Sequence, residues 1–230
     1  MTKCLYCFAD MEPCMSWRTI FSLLPQELVC DECRQKFVLI EGPVCSICGR
    51  PGIHDHLCED CHRWEQQEGF QGVLLKNRSV YLYNDFMKEV LSRFKFRGDA
   101  ILSEIFRTSL QDARKRYFPQ HDFLLLPIPL SQKRLYERGF NQAKLLAQLL
   151  DLPIIEPLTK LDSEKQSKKS RIERISIANM FSLKNSHEVK ERHIIIIDDL
   201  YTTGTTIRHA AKLLKEAGAK SIQSLTLIRS

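Results

Sequence analysis

Residues 193–214 constrain the possible folds of this chain more than any other stretch. Four consecutive isoleucines, residues 194–197, are followed by Asp198 and Asp199, a Thr/Gly loop and a helical pattern. A run of β-branched residues is typical of a strand buried on both faces, as in a parallel sheet covered by helices. An uncompensated buried carboxylate costs several kcal/mol. We therefore expect both aspartates at the carboxyl end of this strand, where open α/β sheets bind ligands.

The loop after the aspartates has the composition of an anion-binding site. It comprises Thr202, Thr203, Gly204, Thr205 and Thr206, which offer hydroxyls and backbone N–H groups at the positive end of a helix dipole. Carboxylates suit a sugar diol or Mg²⁺ and such a loop suits a phosphate, so together they predict a sugar-phosphate site. The alternative is an ordinary capped strand–loop–helix. The loop matches neither a Walker motif nor Gly-x-Gly-x-x-Gly.

This arrangement resembles the phosphoribosyl-pyrophosphate (PRPP) signature of type I phosphoribosyltransferases. That signature is a hydrophobic strand, two acidic residues, two further residues and Thr-Thr-Gly-x-Thr. The resemblance implies an α/β fold with a parallel-sheet, type I phosphoribosyltransferase-like domain. We assign this domain to residues 76–230, after a charged linker at 62–78 that contains Gly69 and Gly72.

All nine cysteines lie within the first 61 residues of the chain. Eight of them form four C-x-x-C pairs: Cys4/Cys7, Cys30/Cys33, Cys45/Cys48 and Cys58/Cys61. Two such pairs complete one tetrahedral Cys₄ zinc site, so residues 1–66 are predicted to be a small zinc-ribbon module with two closed, structural Zn²⁺ sites. Because the N-terminus has no signal-peptide pattern, we expect metal binding and not disulfides.

Two pairings of the four C-x-x-C knuckles are possible. Sequential ribbons would join the first pair with the second and the third with the fourth, whereas a cross-brace would join the first with the third and the second with the fourth. The short gap between Cys48 and Cys58 closes a compact loop and favours the sequential pairing. Cys14 is left over and is expected to be a free thiol.

The charge of the chain is divided unevenly. Residues 1–70 contain 6 basic and 11 acidic residues, whereas residues 71–230 contain 28 and 17. The basic part suggests a polyanionic partner, although such a charge is also common on proteins that bind no nucleic acid. No apolar run approaches the roughly 18 residues that span a bilayer, so we expect no membrane insertion and a cytoplasmic location.

Basic side chains also follow predicted helices and strands of the main domain. Lys95 and Arg97 end a helix that Asn84 caps, and they either complement the helix dipole or face a phosphate. Arg134 and Arg138 follow a buried strand at 122–129, four residues apart, and could address one anion from one helical face. The alternative for this pair is a solvated basic turn before Gly139.

Residues 160–174 form the most basic segment of the chain. It contains almost no apolar residues, which is typical of a mobile surface loop. Its alternative role is to bind a polyanion and become ordered on contact. The candidate DNA-binding residues are Lys95, Arg97 and Arg138 together with, in this segment, Lys165, Lys168, Lys169, Arg171 and Arg174.

Over nearly its full length the chain resembles the ComF family of competence proteins. The matching motifs are the early C-x-x-C pairs, RFKFRGD at 93–99, PIPLSxxR at 127–134, ERGFNQ at 137–142, EKQSKK at 164–169 and IDDLYTTGTT at 197–206. The resemblance implies a zinc finger fused to a phosphoribosyltransferase-type domain. It also implies a cytoplasmic role in handling incoming single-stranded DNA beside the helicase-like ATPase ComFA.

The resemblance also implies roles for individual residues. Asp198 and Asp199 would address the ribose hydroxyls of a PRPP-like ligand through Mg²⁺, the loop 202–206 would hold its 5′-phosphate, and Arg134 is a candidate for its pyrophosphate. Some purine-transferring relatives carry an aspartate at the position of Thr202, so the group that protonates a purine base there is missing.

Three functions follow from these patterns. The first is a competence factor that binds single-stranded DNA and uses a PRPP/Mg²⁺-type pocket for binding or regulation. The second is an active phosphoribosyltransferase that transfers ribose 5-phosphate from PRPP, with Mg²⁺ and fixed charges doing most of the catalysis. The third is a zinc-braced adaptor with a vestigial pocket. The sequence names no acceptor, so catalysis itself is left open.

Overall fold

The computed structural model describes residues 2–11, 27–52, 56–96, 99–120, 122–161 and 180–230. The Cys-rich part contains β1 (Thr2–Lys3), β2 (Asp10–Met11), α1 (Asp31–Gln35) and α2 (Glu59–Gln66). The next elements are β3 (Asn77–Leu82), α3 (Asp85–Phe96), a 3₁₀ helix (Ala100–Phe106), α4 (Arg107–Tyr117), β4 (Phe123–Pro127), α5 (Gln132–Arg138) and α6 (Gln142–Gln148). The last are β5 (Leu158–Lys160), β6 (Phe181–Leu183), a 3₁₀ helix (Ser186–Glu188), β7 (His193–Tyr201), α7 (Thr205–Glu216) and β8 (Ser221–Arg229).

The core of the fold is a four-stranded parallel sheet in the order β3-β8-β7-β4. The isoleucine run lies in the inner strand β7 and is at most 1% exposed. Ile195 and Ile197 pack into one hydrophobic cluster, whereas Ile194 and Ile196 pack into another. This alternation, which follows from the two-residue period of a strand, confirms the predicted α/β sheet with both faces covered.

Strand β7 is longer than the sequence predicts, because it passes through both aspartates to Tyr201. Its neighbour β8 pairs with it to the end, at Tyr201 opposite Arg229. Strand β4, in contrast, pairs with it only as far as Pro127 opposite Ile197, and the last hydrogen bond between them runs from the Ile128 N–H to the Ile197 backbone oxygen at 2.9 Å. Asp198 is therefore the first residue of β7 without a β4 partner, and the aspartates lie at an open edge although the strand continues.

The stretch predicted as a linker, 62–78, is not an exposed connection. It contains most of α2 and two turns, at Gly69 (φ +77°) and Gly72 (φ +61°). Phe70, Val73 and Leu74 are buried in the cluster that includes the helix α7. The linker interpretation was wrong because three apolar side chains without a helical or strand period carry no local signal. The division into residues 1–66 and 76–230 stays a prediction.

Local capping follows the sequence in the main domain. The side chain of Asn84 accepts a hydrogen bond from the Met87 backbone N–H at 2.7 Å, at the start of α3. Gly139 adopts a left-handed conformation (φ +76°) and ends α5, and Asn141 caps α6. The segment after α3 begins as the 3₁₀ helix Ala100–Phe106 and becomes α-helical only at Arg107. Among the described residues, no helix combines the length and hydropathy that crossing a bilayer requires.

Candidate functional site

The eight paired cysteines form two clusters. Cys4, Cys7, Cys30 and Cys33 make the first cysteine site, and Cys45, Cys48, Cys58 and Cys61 make the second cysteine site. In each site the four sulfur atoms lie within 4.8 Å of one another. The sequential pairing of knuckles is therefore confirmed. The leftover Cys14 lies outside the described residues.

Both clusters fit a tetrahedral zinc ion. A Zn–S distance of about 2.3 Å separates neighbouring sulfurs by about 3.8 Å, and the observed pairs Cys7–Cys30 and Cys48–Cys58 are 3.6 and 3.5 Å apart. In the second site the hydrogen bond from Cys61 is the main cause that lowers the pKa of Cys48 to about 4, and the pKa of Cys61 rises correspondingly. A stabilised thiolate is the form of cysteine that binds zinc.

The aspartate pair lies where β4 has ended. Lys95 Nζ of α3 approaches Asp199 Oδ2 at 2.5 Å, and the two side chains are 19% and 14% exposed. The backbone N–H of Asp199 donates to Asp198 Oδ1 at 2.9 Å. Burial, followed by the neighbouring Asp199 carboxylate, raises the pKa of Asp198 to about 8. Without a ligand Asp198 is therefore largely protonated at neutral pH, and a cation that binds there would favour its ionised form.

Two further cations lie near this pair. Burial lowers the pKa of Arg138 in α5, and Asp199 is the largest influence in the opposite direction. Burial also lowers the pKa of Lys160 at the end of β5, with Arg134 and Arg138 acting in the same direction and Asp198 acting against them. Residues from four separate segments thus bring both signs of charge to one edge of the sheet, which suits a ligand carrying both phosphate and a divalent cation.

We call Thr202–Thr206 the phosphate loop. Gly204 caps α7 in a left-handed conformation (φ +81°), and a Cβ there would lie 2.6 Å from Tyr201 Cζ. Only glycine satisfies both conditions. Thr202 and Thr203 are exposed, and the hydroxyls of Thr203 and Thr205 lie 2.8 Å apart. The loop therefore presents hydroxyls to solvent at the start of a twelve-residue helix, as the sequence predicts.

The Cys-rich part contacts the phosphate loop directly. Trp64 Nε1 of α2 donates a hydrogen bond to the backbone oxygen of Thr203 at 3.0 Å. The next residue, Glu65, binds Arg208 at 2.9 Å, and the Arg208 guanidinium lies 5.4 Å from the Trp64 ring centre. Arg208 belongs to the first part of α7 and is fully buried. The loop and the first turn of α7 are thus held by residues three and four positions after Cys61.

The comparisons with known proteins bear on both parts of the chain. A family model described as "Phosphoribosyl transferase domain" matches residues 136–230. The chain is 47% identical to "Competence protein ComFC" of Bacillus subtilis (strain 168), over 99% of this chain and 95% of that protein. The chain belongs to the ComFC family. It is also 32% identical to the ComFC of Streptococcus pneumoniae (strain ATCC BAA-255 / R6), over 99% of this chain and all of that protein.

More distant relatives extend beyond the ComFC name. The "DNA utilization protein YhgH" of Escherichia coli O157:H7 is 29% identical over 88% of this chain and 90% of that protein. Among solved structures, one titled "Structure of the allosteric regulatory enzyme of purine biosynthesis" is 20% identical over 52% of this chain and 25% of its own, with a TM-score of 0.38. A superposition this loose does not bear on the site. The ComFC resemblance and the phosphoribosyltransferase-type fold are confirmed by the relatives and the family model.

The structure describes some of the predicted site residues and not others. Asp198, Asp199 and the phosphate loop are consecutive along the end of β7 and the start of α7, and the charge of Arg138 interacts with both aspartates. Lys95, a predicted DNA contact, pairs its ammonium with Asp199, and its role in DNA binding stays a prediction. Arg134 is exposed on α5. Arg97, Lys165, Lys168, Lys169, Arg171 and Arg174 lie outside the described residues, and their role stays a prediction.

Sequence reasoning missed several residues around the pocket. Lys160 was assigned only to a basic loop, whereas in the structure its charge interacts with those of Asp198 and Asp199. Trp64 and Arg208 carried no motif. Their contacts join residues 139 to 147 positions apart, which no local pattern encodes. One signal was available: an arginine on the apolar face of an otherwise regular helix requires a buried partner.

Proposed function

We propose that this ComFC-family protein binds a PRPP-like sugar phosphate with Mg²⁺ and acts as a cytoplasmic competence factor. In that role it handles incoming single-stranded DNA beside a ComFA-type helicase-like ATPase. The single observation that carries the pocket is the acidic pair Asp198/Asp199 with Lys95, Arg138 and Lys160 around it. The DNA role rests on the competence and DNA-utilization names of the relatives.

The chemistry of the pocket favours a ligand with a diol and two phosphate groups. Asp198 and Asp199 would hold the Mg²⁺ of such a ligand, which would neutralise charge on a pyrophosphate group and orient a ribose. The phosphate loop would receive a monoester phosphate on backbone N–H groups and threonine hydroxyls. Lys160 and Arg138 would then face the more highly charged pyrophosphate end, since their charges interact with those of the aspartates.

The cost of burying the carboxylates supports a binding role. Asp198 is held with a raised pKa, so its ionised form is destabilised in the protein without a ligand. Carboxylates whose ionised form is unfavourable are common at binding sites, where an arriving ligand or cation stabilises the ionised form. A vestigial pocket would have no reason to keep two adjacent acids at a partly buried sheet edge.

The single-stranded DNA part of the proposal is supported by charge and by exposed side chains. Residues 71–230 have 28 basic residues against 17 acidic ones. On α5, Tyr136 is 92% exposed, and the exposed Lys133 precedes it by three residues on the same helical face. An exposed aromatic ring next to a cation suits a stacked base and its backbone phosphate. Phe94, in contrast, is fully buried and is a core residue.

Calorimetric titration of PRPP with and without Mg²⁺ tests the pocket. We expect Mg²⁺-dependent binding that weakens by about tenfold or more in Asp198→Asn with Asp199→Asn, because both cation ligands lose their charge. Asp112→Asn, which alters an exposed aspartate on α4, is the matched control and should bind normally. Unchanged affinity in the double variant would exclude this site.

The same pocket would serve an active phosphoribosyltransferase, an alternative favoured by the family-model match to residues 136–230. The two hypotheses separate by product. Release of pyrophosphate from PRPP in the presence of a nucleobase, abolished in the double asparagine variant, would establish transfer. Binding without pyrophosphate release, over all common bases, would leave the ligand a regulatory or positional role.

A salt series tests the DNA part. Binding of a labelled oligonucleotide should weaken by about tenfold or more between about 50 and 200 mM salt if several phosphates are contacted. Tyr136→Ala should weaken it by about 1–3 kcal/mol if a base stacks there, and Tyr83→Ala, at another partly exposed tyrosine, is the control. Binding that ignores both salt and Tyr136 would argue against a single-strand site on this face.

A further inference from the structure

The second cysteine site is joined to the phosphate loop by two buried arginines. Arg208 Nη2 lies 3.6 Å from Cys61 Sγ, and Arg229 Nη2 lies 3.9 Å from Cys48 Sγ. The two arginines are 0% and 2% exposed. Four thiolates and one Zn²⁺ leave two net negative charges, and a guanidinium is the donor best able to hydrogen-bond such a centre.

Each arginine also contacts a residue that helps to position the phosphate loop. Arg229 Nη1 donates to the backbone oxygen of Tyr201 at 3.1 Å, and its guanidinium lies 5.0 Å from the Tyr201 ring centre. Tyr201 in turn fills the space over Gly204, where a Cβ would collide with its ring. Arg208 is the fourth residue of α7, the helix that follows the loop, and is bound by Glu65. Both ends of the phosphate loop are therefore fixed by residues that contact zinc-site sulfurs.

A third connection runs through the segment after the last ligand. Cys61 is followed within α2 by Trp64 and Glu65. The Trp64 indole donates to Thr203 in the middle of the loop. Without metal, the four sulfurs have no common centre that would fix Cys61 and the start of α2. The position of the Trp64 donor thus depends on the state of the second cysteine site.

We propose that the second cysteine site is a positioning device for the phosphate loop, so that affinity for a sugar phosphate depends on zinc at this site. Trp64, Arg208 and Arg229 transmit the dependence and are positioning residues, since none of them contacts the ligand. The inference rests on the proposed function in one respect: it takes the loop to be the phosphate-binding element. The ligand class is the one proposed above, a phosphorylated ribose.

Tryptophan fluorescence gives a direct readout. The chain has two tryptophans, Trp17 and Trp64, so in a Trp17→Phe chain the emission reports Trp64 alone. We expect PRPP with Mg²⁺ to shift this emission. Removal of zinc by a chelator should shift it as well and should lower PRPP affinity by about tenfold or more. A chain that remains folded by circular dichroism and binds PRPP equally well without zinc would overturn the proposal.

A single substitution isolates the contact from the metal. Trp64→Phe keeps a ring under Arg208 and removes the donor to Thr203. It should retain both zinc ions, lower PRPP affinity by about fivefold and speed amide hydrogen exchange in the phosphate loop. Arg63→Gln, which alters an exposed residue of the same helix, is the control and should change neither. Identical exchange and affinity in Trp64→Phe and wild type would overturn the proposal.

These outcomes separate the two proposals. If the wild-type protein does not bind PRPP, the proposed pocket fails. Hydrogen exchange in residues 202–208 then still decides the coupling: protection that falls in Trp64→Phe, or when zinc is removed, supports it, and unchanged protection contradicts it. If PRPP binds the wild-type chain and binds equally well after both changes, the pocket stands and the coupling is wrong.

Discussion

The two cysteine sites have the same ligands and the same C-x-x-C spacing, but their surroundings differ. In the first site Cys7 is exposed and Cys30 is partly exposed, and the buried neighbours form a small cluster with Val29. In the second site all four cysteines are buried in the same hydrophobic cluster as Ile194 and Ile196 of β7. One site borders the main domain and the other is part of its core.

The difference shows that a metal-binding motif alone does not indicate how much of the surrounding fold depends on the bound metal. The first site contacts the domain through neighbours of its ligands: Arg93 of α3 packs over the Tyr6 ring, with its guanidinium 4.9 Å from the ring centre. The second site is contacted at its sulfurs by arginines of the main domain. Loss of metal should therefore disturb the structure only locally at the first site, whereas at the second site the disturbance should extend into the sheet.

Removal of ligands should separate the sites most strongly. Cys45→Ser with Cys48→Ser should cost about 4 kcal/mol or more, which for a chain of this size lowers Tm by about 8–16 °C, because a metal and buried packing are lost together. The matched change Cys4→Ser with Cys7→Ser should cost roughly 1–2 kcal/mol. Thermal unfolding and zinc content check both variants. Equal losses of Tm would contradict the distinction between border and core.

Two glycines test the same distinction through the backbone. Gly49 follows the ligand Cys48 with φ +70°, and a Cβ there would lie 2.9 Å from the Asn77 backbone oxygen in β3. Gly42 has a similar φ of +77° and no atom within 4 Å of such a Cβ. Gly49→Ala should therefore lower the free energy of unfolding by about 2–3 kcal/mol. Gly42→Ala should lower it by about 1 kcal/mol, because only the backbone strain of a positive φ is added there. Denaturant unfolding of both variants measures the difference.

The pH dependence of stability should reveal the strain at Asp198. Its folded pKa of about 8 exceeds the unfolded value of about 3.9, so the folded protein binds the extra proton. Stability without a ligand should fall as pH rises from about 4 to about 8 and then level off. Asp198→Asn should remove this fall and raise Tm by a few degrees at pH 8.5 but not at pH 4. A Tm difference that does not depend on pH would refute the raised pKa.

The smallest effect is expected at the contact between the first site and α3. The Tyr6 hydroxyl donates to Glu89 at 2.9 Å in an exposed position. Tyr6→Phe should cost at most about 0.5 kcal/mol and leave zinc content unchanged. Titration with denaturant is sufficient to measure it. A loss above about 2 kcal/mol would mean that the first site supports the main domain more than its exposure suggests.

Much of this architecture could be predicted because its signals are local. The isoleucine run predicted a two-sided strand, and the structure buries it on both faces. The short gap between Cys48 and Cys58 predicted the sequential pairing. Asn84, Gly139 and Asn141 marked the helix ends through their own backbone preferences. Each of these signals acts within a few residues of the sequence, where side-chain and backbone chemistry suffices.

The rest could not be predicted because it depends on contacts across the fold. The end of β7 at Tyr201 is set by its pairing with β8, whereas β4 pairs with it only as far as Ile197. The burial of Phe70 and Leu74 depends on α7, more than 130 residues later. Lys160 belongs to the pocket only because the strand β5 brings it there. The candidate site was therefore predicted at its centre, in residues 198–206, and missed at its rim.

The contact between Arg229 and Cys48 has a consequence for synthesis. The two residues are 181 positions apart, and a ribosome adds roughly 5–20 residues per second. For on the order of ten to thirty seconds, the nascent chain therefore carries the four cysteines of the second site before Arg229 has been synthesised. Metal captured early would wait in an open, oxidisable centre, whereas metal captured late would enter one already enclosed by β8. The surroundings that zinc meets at the second site thus depend on whether it binds before or after β8 has been synthesised.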